Sequence, residues 1–212
     1  ANQVYNMILG VNPAVISTVF GLVRLWDAIT DPLMGSFSDN TRMRFGRRKP
    51  YLILGGILCG MGFPLVWFVP TGWDATAMSI YFVAATFIFY TFATVYSVPF
   101  QALLTEMTPD YNERTKVTSF AYFFQSLGWI VFPTIFWVAQ FDVFPDKMTG
   151  MRTVGIFTGL LIAGLAITCA FSAKERYQTI ANKQEKLSLI KSFKASVRNR
   201  PFLILIGLTL FM

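Results

Sequence analysis

The chain has 212 residues, of which 54% are hydrophobic and 14% charged, and 18 Lys and Arg against 11 Asp and Glu give a net charge of +7. Ordinary soluble domains carry about 25% charged residues, so this composition excludes an ordinary soluble domain and predicts an integral membrane protein. The sequence has no His, which excludes imidazole catalysis and His-ligated metal sites.

Five apolar runs are each long enough to cross a bilayer as a helix, which takes about 20 residues. In chain order they cover residues 14–38, 50–70, 77–101, 117–140 and 152–172. Residues 1–10 have the composition of the end of an earlier span, and residues 201–212 that of the start of a later one. The runs are continuous, whereas the strands of a membrane barrel alternate, so helices are favoured.

These spans predict an all-α membrane protein that is a piece of a longer chain. We expect residues 1–172 to form a six-helix bundle with an incomplete first span, residues 173–200 a cytoplasmic middle loop, and residues 201–212 the start of a seventh span. Two runs, GILCG (56–60) and GIFTG (155–159), have the G-x-x-x-G spacing that lets helices approach closely. We expect these glycines to serve helix packing.

The distribution of Lys and Arg predicts the orientation in the membrane. Residues 41–49 carry five of them, 112–116 carry two, and 173–200 carry eight, whereas the intervening loops carry only Lys147 and Arg152. Because cytoplasmic loops are enriched in Lys and Arg, the basic loops are predicted to be cytoplasmic in a multi-pass protein of the plasma membrane. The positive charge is therefore a topology signal and does not indicate a nucleic-acid partner.

The stretch RLWDAITDPLMG (24–35) places three charges inside the first full span. Arg24, Asp27 and Asp31 are spaced i, i+3, i+7 and so share one helix face. Two close carboxylates at low dielectric require a proton on one of them or a cation between them, and Arg24 balances only one charge. Such charges at membrane depth indicate a site for Na⁺ or a proton. The alternative is a buried ion triad that only fixes helix packing.

Further polar side chains lie at membrane depth in the later spans. They are Thr94, Tyr96, Ser97, Gln101, Tyr122 and Gln125. Together with Trp26, they would line a polar and aromatic site for an uncharged, hydroxylated solute. The alternative for the hydroxyl groups is a hydrogen bond to the backbone of their own helix.

Several motifs resemble those of one transporter family. RLWDAITDPLMG, followed by SDNTRMRFGRRKPY (38–51), is similar to the second span and following loop of the glycoside–pentoside–hexuronide:cation symporters, a branch of the major facilitator superfamily. SVPFQALLTEMTPDYNERTK (97–116) and FFQSLG (123–128) resemble the fourth span, its loop and the fifth span. The resemblance implies the N-terminal half of a major facilitator bundle, whose partner is the second half of the same carrier.

The resemblance also implies roles for the residues of the charged span. Asp27 and Asp31 match the two aspartates of the family's cation site, and Thr94 matches a threonine of the fourth span that joins it. Thr30 stands where an asparagine lies beside the cation, and Arg24 matches the nearby arginine that balances charge. In the loop that follows, the matching residues that stabilise one gate conformation are Gly35, Asp39, Arg47 and Arg48.

The expected solute site departs from that of the family's melibiose carriers. Ser97 stands where they have a sugar-binding aspartate, Gln101 where they have a tryptophan, and Tyr122 where they have an arginine. The residues expected to bind substrate are Trp26, Ser97, Gln101, Tyr122 and Gln125. The coupling carboxylates are therefore kept, whereas the sugar-binding charges are absent.

The resemblance implies symport of a sugar, glycoside or similar small solute with Na⁺ or H⁺ by alternating access, with no cofactor and no enzymatic activity. An intramembrane aspartyl protease is a rival, but its two aspartates must face each other across two helices, and here they lie four residues apart on one helix. A lipid or lysolipid carrier of the related branch is a second rival, and a non-transporting membrane partner or sensor is a third.

Overall fold

The computed structural model describes residues 5–6, 12–43, 46–70, 72–108 and 110–173. Within these ranges the regular structure is helical, which confirms the predicted all-α class. After a helical Tyr5 and Asn6, the five helices are α1 (Pro13–Asn40), α2 (Lys49–Leu65), α3 (Ala75–Glu106), α4 (Tyr111–Val138) and α5 (Lys147–Ser172). The predicted loop beyond residue 173, the start of a seventh span and most of residues 1–10 lie outside the described residues.

Four of the five helices, α1, α3, α4 and α5, are long and apolar enough to cross a membrane. The second predicted span is corrected by the structure, because α2 is a shorter apolar helix that ends at Leu65 and not at residue 70. Pro64 lies in its last turn, where it has no N–H to donate to the carbonyl group of Gly60. The chain then closes two tighter bonds, from Trp67 N to Pro64 O at 2.8 Å and from Phe68 N to Leu65 O at 3.2 Å. An apolar run therefore extends further here than the helix it contains.

Side chains from three other parts of the chain hold the segment from Leu65, the last residue of α2, to Val69. Tyr5, Tyr81 of α3 and Arg152 of α5 all donate hydrogen bonds to its backbone carbonyl groups. The acceptors are Val66 O for Tyr5, Leu65 O for Tyr81 at 2.7 Å, and both Trp67 O (3.4 Å) and Val69 O (2.6 Å) for Arg152. Carbonyl groups that leave a helix in a membrane protein need such partners.

The closest helix contact joins α2 to α5 through the glycines of the two predicted packing motifs. A Cβ atom on Gly60 would lie 2.6 Å from Gly159 O, and one on Gly159 would overlap Gly60 O. A Cβ atom on Gly56 would likewise overlap the methyl group of Ala166. The backbones therefore touch directly, which confirms that both motifs serve packing.

Helix α3 contacts α1, α2 and α4. Helix α2 packs against both α3 and α5, and α1 packs against α3. Along α1, contacts with α3 advance in the same direction, from Trp26 opposite Thr91 to Gly35 opposite Val98, so α1 and α3 run parallel. Helix α4 contains no buried residue.

Candidate functional site

The charged residues of α1 differ sharply in exposure. The Arg24 side chain is 80% exposed and that of Asp27 only 20%, and Arg24 Nη1 lies 3.9 Å from Asp27 Oδ2. Asp27 Oδ1 is buried and has no hydrogen-bond partner among the described residues. Asp31, one turn later, is exposed. Because a buried carboxylate oxygen normally has a partner, Asp27 offers an oxygen that a cation or a proton would satisfy.

Two contacts fix the level of these carboxylates relative to α3. Trp26 Nε1 donates to Thr91 Oγ1 at 3.0 Å, and a Cβ atom on Gly35 would lie 3.7 Å from Val98 Cγ1. Both aspartates lie between these points on α1, and Thr94 lies between them on the parallel α3. Thr94 is buried, and its position between Thr91 and Val98 places it at the level of the carboxylates along the helix pair.

Thr30 lies between the two aspartates in sequence and is half-buried. Its hydroxyl group donates to Trp26 O at 3.1 Å. The proton of the hydroxyl is therefore used within the helix, whereas the oxygen lone pairs stay available to a cation.

The chemistry of the donor set restricts the cation. In the described part of the chain, no three or more Cys, Asp or Glu side chains are grouped as metal ligands usually are. A cation beside Asp27 would be held by carboxylate oxygen with hydroxyl or carbonyl oxygen. Such hard oxygen ligands suit Na⁺ or a proton and not the softer transition metals.

The five residues predicted to bind solute lie on three helices. Trp26 is on α1 and contacts α3, Ser97 is half-buried on α3, and Gln101 is exposed near the end of that helix. Tyr122 and Gln125 are both exposed on α4. The grouping of these five residues around one solute stays a prediction.

A cavity of about 670 Å³ lies among α1, α2, α3 and α4 and contains one of those five residues, Gln125. The wall is mainly aromatic. It consists of Phe20, Phe63, Val66, Trp67, Thr86, Phe89, Tyr90, Gln125, Gly128, Trp129 and Phe132. Two buried polar atoms of this wall, Trp67 Nε1 and Thr86 Oγ1, have no partner within the described ranges.

The predicted gate loop forms an ion cluster with a residue that sequence reasoning missed, Glu106 at the end of α3. Arg48 is buried, and its Nη2 atom lies 3.0 Å from Asp39 Oδ1 and 2.8 Å from Glu106 Oε1. Arg47 Nη2 donates to both oxygens of Glu106, at 2.9 and 3.1 Å, and lies 3.8 Å from Asp39 Oδ1. The cluster joins the ends of α1 and α3 to the start of α2. One signal in the sequence was available for this partner. Glu106 is an acidic residue at the end of an apolar span, opposite a basic loop.

The sequence model of the family described as MFS/sugar transport protein matches residues 4–212. YnaJ, an uncharacterized symporter of Bacillus subtilis strain 168, is 31% identical over 206 residues, covering 95% of this chain and 44% of the relative. YagG, a putative glycoside/cation symporter of Escherichia coli strain K12, is 31% identical over 180 residues, covering 82% of this chain and 38% of the relative.

A sodium-dependent lysophosphatidylcholine symporter of Xenopus tropicalis is also similar, with 31% identity over 122 residues, which cover 57% of this chain and 23% of that protein. The chain thus spans less than half the length of these three relatives.

Proposed function

Because the chain belongs to the MFS/sugar transport protein family, and within it to the glycoside–pentoside–hexuronide:cation symporters of the major facilitator superfamily, we propose that it is part of a cation-coupled secondary transporter. The cation is Na⁺ or H⁺, and the solute is a sugar, a glycoside or a similar small molecule. The protein is a multi-pass membrane protein, and its relatives are transporters and not enzymes.

One observation carries the proposal: the buried Oδ1 atom of Asp27 lies on an apolar helix and has no hydrogen-bond partner within the described part of the chain. Arg24 lies 3.9 Å from the other oxygen and is largely exposed, so it compensates the carboxylate weakly. A weakly compensated carboxylate at membrane depth is expensive and marks an ion pathway. A bound cation or proton would neutralise Asp27 and complete its hydrogen bonding.

In the mechanism that follows, the cation binds Asp27 and Asp31 with hydroxyl groups from Thr30 and Thr94. Neutralising the carboxylates removes their repulsion, and the solute then binds between the two halves of the carrier. Cation and solute each raise the affinity of the other by the same factor, since binding coupling is reciprocal. The loaded carrier then changes its open side by rocking one half against the other.

The gate and the orientation complete this proposal. The cluster around Arg48 holds the ends of α1 and α3 together and stabilises one gate conformation. The basic loops face the cytoplasm, and the protein lies in the plasma membrane. Its partners are the lipid bilayer and the second half of the same carrier, with residues 1–172 as the first bundle and 173–200 as the middle loop.

The first test is thermal unfolding of the complete, purified carrier in NaCl, LiCl or choline chloride at fixed ionic strength and at several pH values. A ligand that binds only the folded state stabilises it by about 2.7 kcal/mol at 100 times its Kd. We expect Na⁺ or low pH to raise the melting temperature, and Asp27→Asn to abolish that rise. Asp142→Asn, which removes an exposed carboxylate outside the helices, should keep it.

The results separate the rival mechanisms. A rise with Na⁺ that Asp27→Asn removes supports sodium coupling, and a pH-dependent rise that the same variant removes supports proton coupling. A melting temperature that responds to neither would leave the charges of α1 as structural. Cation-driven solute accumulation that persists in both Asp27→Asn and Asp31→Asn would overturn the mechanism.

A lysolipid carrier is the second candidate, because the chain resembles a lysophosphatidylcholine symporter over 57% of its length. It makes a different prediction in proteoliposomes, where lysophosphatidylcholine would stimulate cation uptake. Sugars and glycosides would have no effect in that assay. The opposite result would favour a sugar or glycoside as the solute.

A further inference from the structure

Trp26 is held by two residues of α3 that the sequence motifs do not include. Its indole N–H donates to Thr91 Oγ1 at 3.0 Å. Its ring lies edge-on to Phe87, with 5.9 Å between ring centroids and 68° between planes. Phe87 and Thr91 are one helical turn apart, so both contacts come from the same face of α3.

The direction of the hydrogen bond to Trp26 is defined. The Thr91 hydroxyl group donates its proton to Phe87 O at 2.8 Å, so towards the indole N–H it acts as the acceptor. An indole nitrogen can only donate, and the two groups are therefore complementary. The bond fixes the orientation of a large, rigid side chain between α1 and α3.

Trp26 is also connected to the proposed cation site through its backbone. Its carbonyl oxygen accepts a hydrogen bond from Thr30 at 3.1 Å, and the next residue in the chain is Asp27. A hydrogen-bond series thus runs from Phe87 O through Thr91 and Trp26 to Thr30. It ends at the residue that lies between the two carboxylates.

We propose that Thr91 is a positioning residue for the cation site. By accepting the indole N–H of Trp26, it sets the height and rotation of α1 relative to α3. That placement holds Asp27 and Thr30 at the level of Thr94, which belongs to the same helix as Thr91. This inference rests on the proposed role of Asp27 in binding the cation.

The test compares Thr91→Val, which removes the acceptor but keeps the shape, with Thr91→Ser, which keeps a hydroxyl group. The matched control is Thr158→Val on α5, because Thr158 is also half-buried and donates to its own helix, to Val154 O at 2.8 Å. The probe is NaCl against choline chloride at fixed ionic strength, and pH at fixed salt, with the complete carrier. The measurement is the Na⁺ concentration, or the pH, at which half of the rise in melting temperature is reached, and this value is called the cation midpoint.

We expect Thr91→Val to raise the cation concentration at the midpoint roughly tenfold, as for the loss of one well-placed hydrogen bond. Thr91→Ser and Thr158→Val should leave the midpoint unchanged. Trp26→Phe, which removes the N–H and keeps an aromatic ring, should raise it to a similar extent. The double variant Trp26→Phe with Thr91→Val should show no further loss, since both changes remove one interaction.

The inference is overturned if Thr91→Val lowers the melting temperature without cation and leaves the cation midpoint where it was, because Thr91 would then be purely structural. Strictly additive effects of the two single variants would overturn it as well. If Thr91→Val does not fold, Trp26→Phe alone decides between these outcomes. A wild-type carrier whose melting temperature responds to neither Na⁺ nor pH would remove the proposed cation site itself, which is a distinct result.

Discussion

Two helix interfaces in this molecule are built in opposite ways. Between α2 and α5, glycine backbones touch, and a Cβ atom on Gly60 would lie 2.6 Å from Gly159 O. Between α1 and α3, side chains make the contact, through the indole of Trp26 on Thr91 and Phe87. Where the glycines meet, the first interface leaves no room for a side chain, whereas the second places hydroxyl and carboxyl groups at the same level.

The α2–α5 interface joins two helices through their backbones, whereas the α1–α3 interface brings polar side chains together. In a membrane, long apolar side chains gain as much dispersion energy from lipid as from another helix. Close approach of two helix backbones gains dispersion energy that contact with lipid does not supply. The α2–α5 pair is therefore held together by direct backbone contact. The α1–α3 pair carries the partly compensated carboxylate of Asp27, and its geometry depends on a few hydrogen bonds that single substitutions remove.

The largest expected effect tests the α2–α5 side of this comparison. Gly159→Ala places a methyl group against Gly60 O, so the helices must separate, and overpacking of this kind costs about 3 kcal/mol. Gly164→Ala on the same helix meets nothing within 4 Å among the residues that the structure describes and should change stability by less than about 1 kcal/mol. Thermal unfolding of the complete protein measures both. Equal melting temperatures for the two variants would contradict a backbone-to-backbone interface.

A medium effect is expected at the polar end of the α1–α3 pair. Glu106→Gln removes the charge that Arg47 and Arg48 share, at 2.9 and 2.8 Å, and the loss of charge-assisted bonds to a buried arginine costs about 1–3 kcal/mol. The melting temperature should therefore fall.

The control for this change is Glu113→Gln in the first turn of α4. Glu113 accepts a 2.6 Å hydrogen bond from the Thr108 hydroxyl group, which a glutamine oxygen can also accept. A larger loss for Glu113→Gln than for Glu106→Gln would show that the ion cluster does not stabilise this end of the molecule.

The smallest effect concerns the start of α5. Asp146 caps this helix by accepting hydrogen bonds from Thr149 N at 2.9 Å and Thr149 Oγ1 at 2.5 Å, and these bonds lower the pKa of its exposed carboxyl. Because the folded-state pKa is the lower one, the stabilisation is present above the unfolded-state pKa and is lost as the pH falls through the folded-state pKa. Asp146→Ala should therefore lower the melting temperature slightly at neutral pH, and the difference should vanish in acid.

Asp74→Ala provides the comparison, since Asp74 occupies the same position before α3 and makes no side-chain capping bond. It should have almost no effect at any pH. A loss that is equal for both variants, or that persists for Asp146→Ala at low pH, would exclude capping as the cause.

Much of the architecture could be predicted from the sequence because long apolar runs in a membrane must be helical. The shared face of Arg24, Asp27 and Asp31 followed from helical periodicity, and the packing glycines followed from their spacing. These features are local, so the order of residues along one helix is enough to predict them.

The features that sequence reasoning missed depend on pairs of elements. Thr91 is one of many hydroxyl residues in apolar helices, and its partner Trp26 lies 65 positions away. Glu106 takes part in the ion cluster with Arg47 and Arg48 only because α3 ends beside the loop before α2. The end of α2 was misplaced because hydropathy continues through residues that no longer form a helix.

The early end of α2 affects the lipid around the protein. Its 17 residues rise about 25 Å at 1.5 Å each, against a hydrocarbon layer of about 30 Å. A short helix of this kind is matched by thinning of the membrane beside it, at a fraction of a kcal/mol per Å. The corner where Arg152 binds the carbonyl groups of Trp67 and Val69 should therefore attract lipids with shorter acyl chains, and the carrier should be sensitive to the chain length of the membrane in which it is reconstituted.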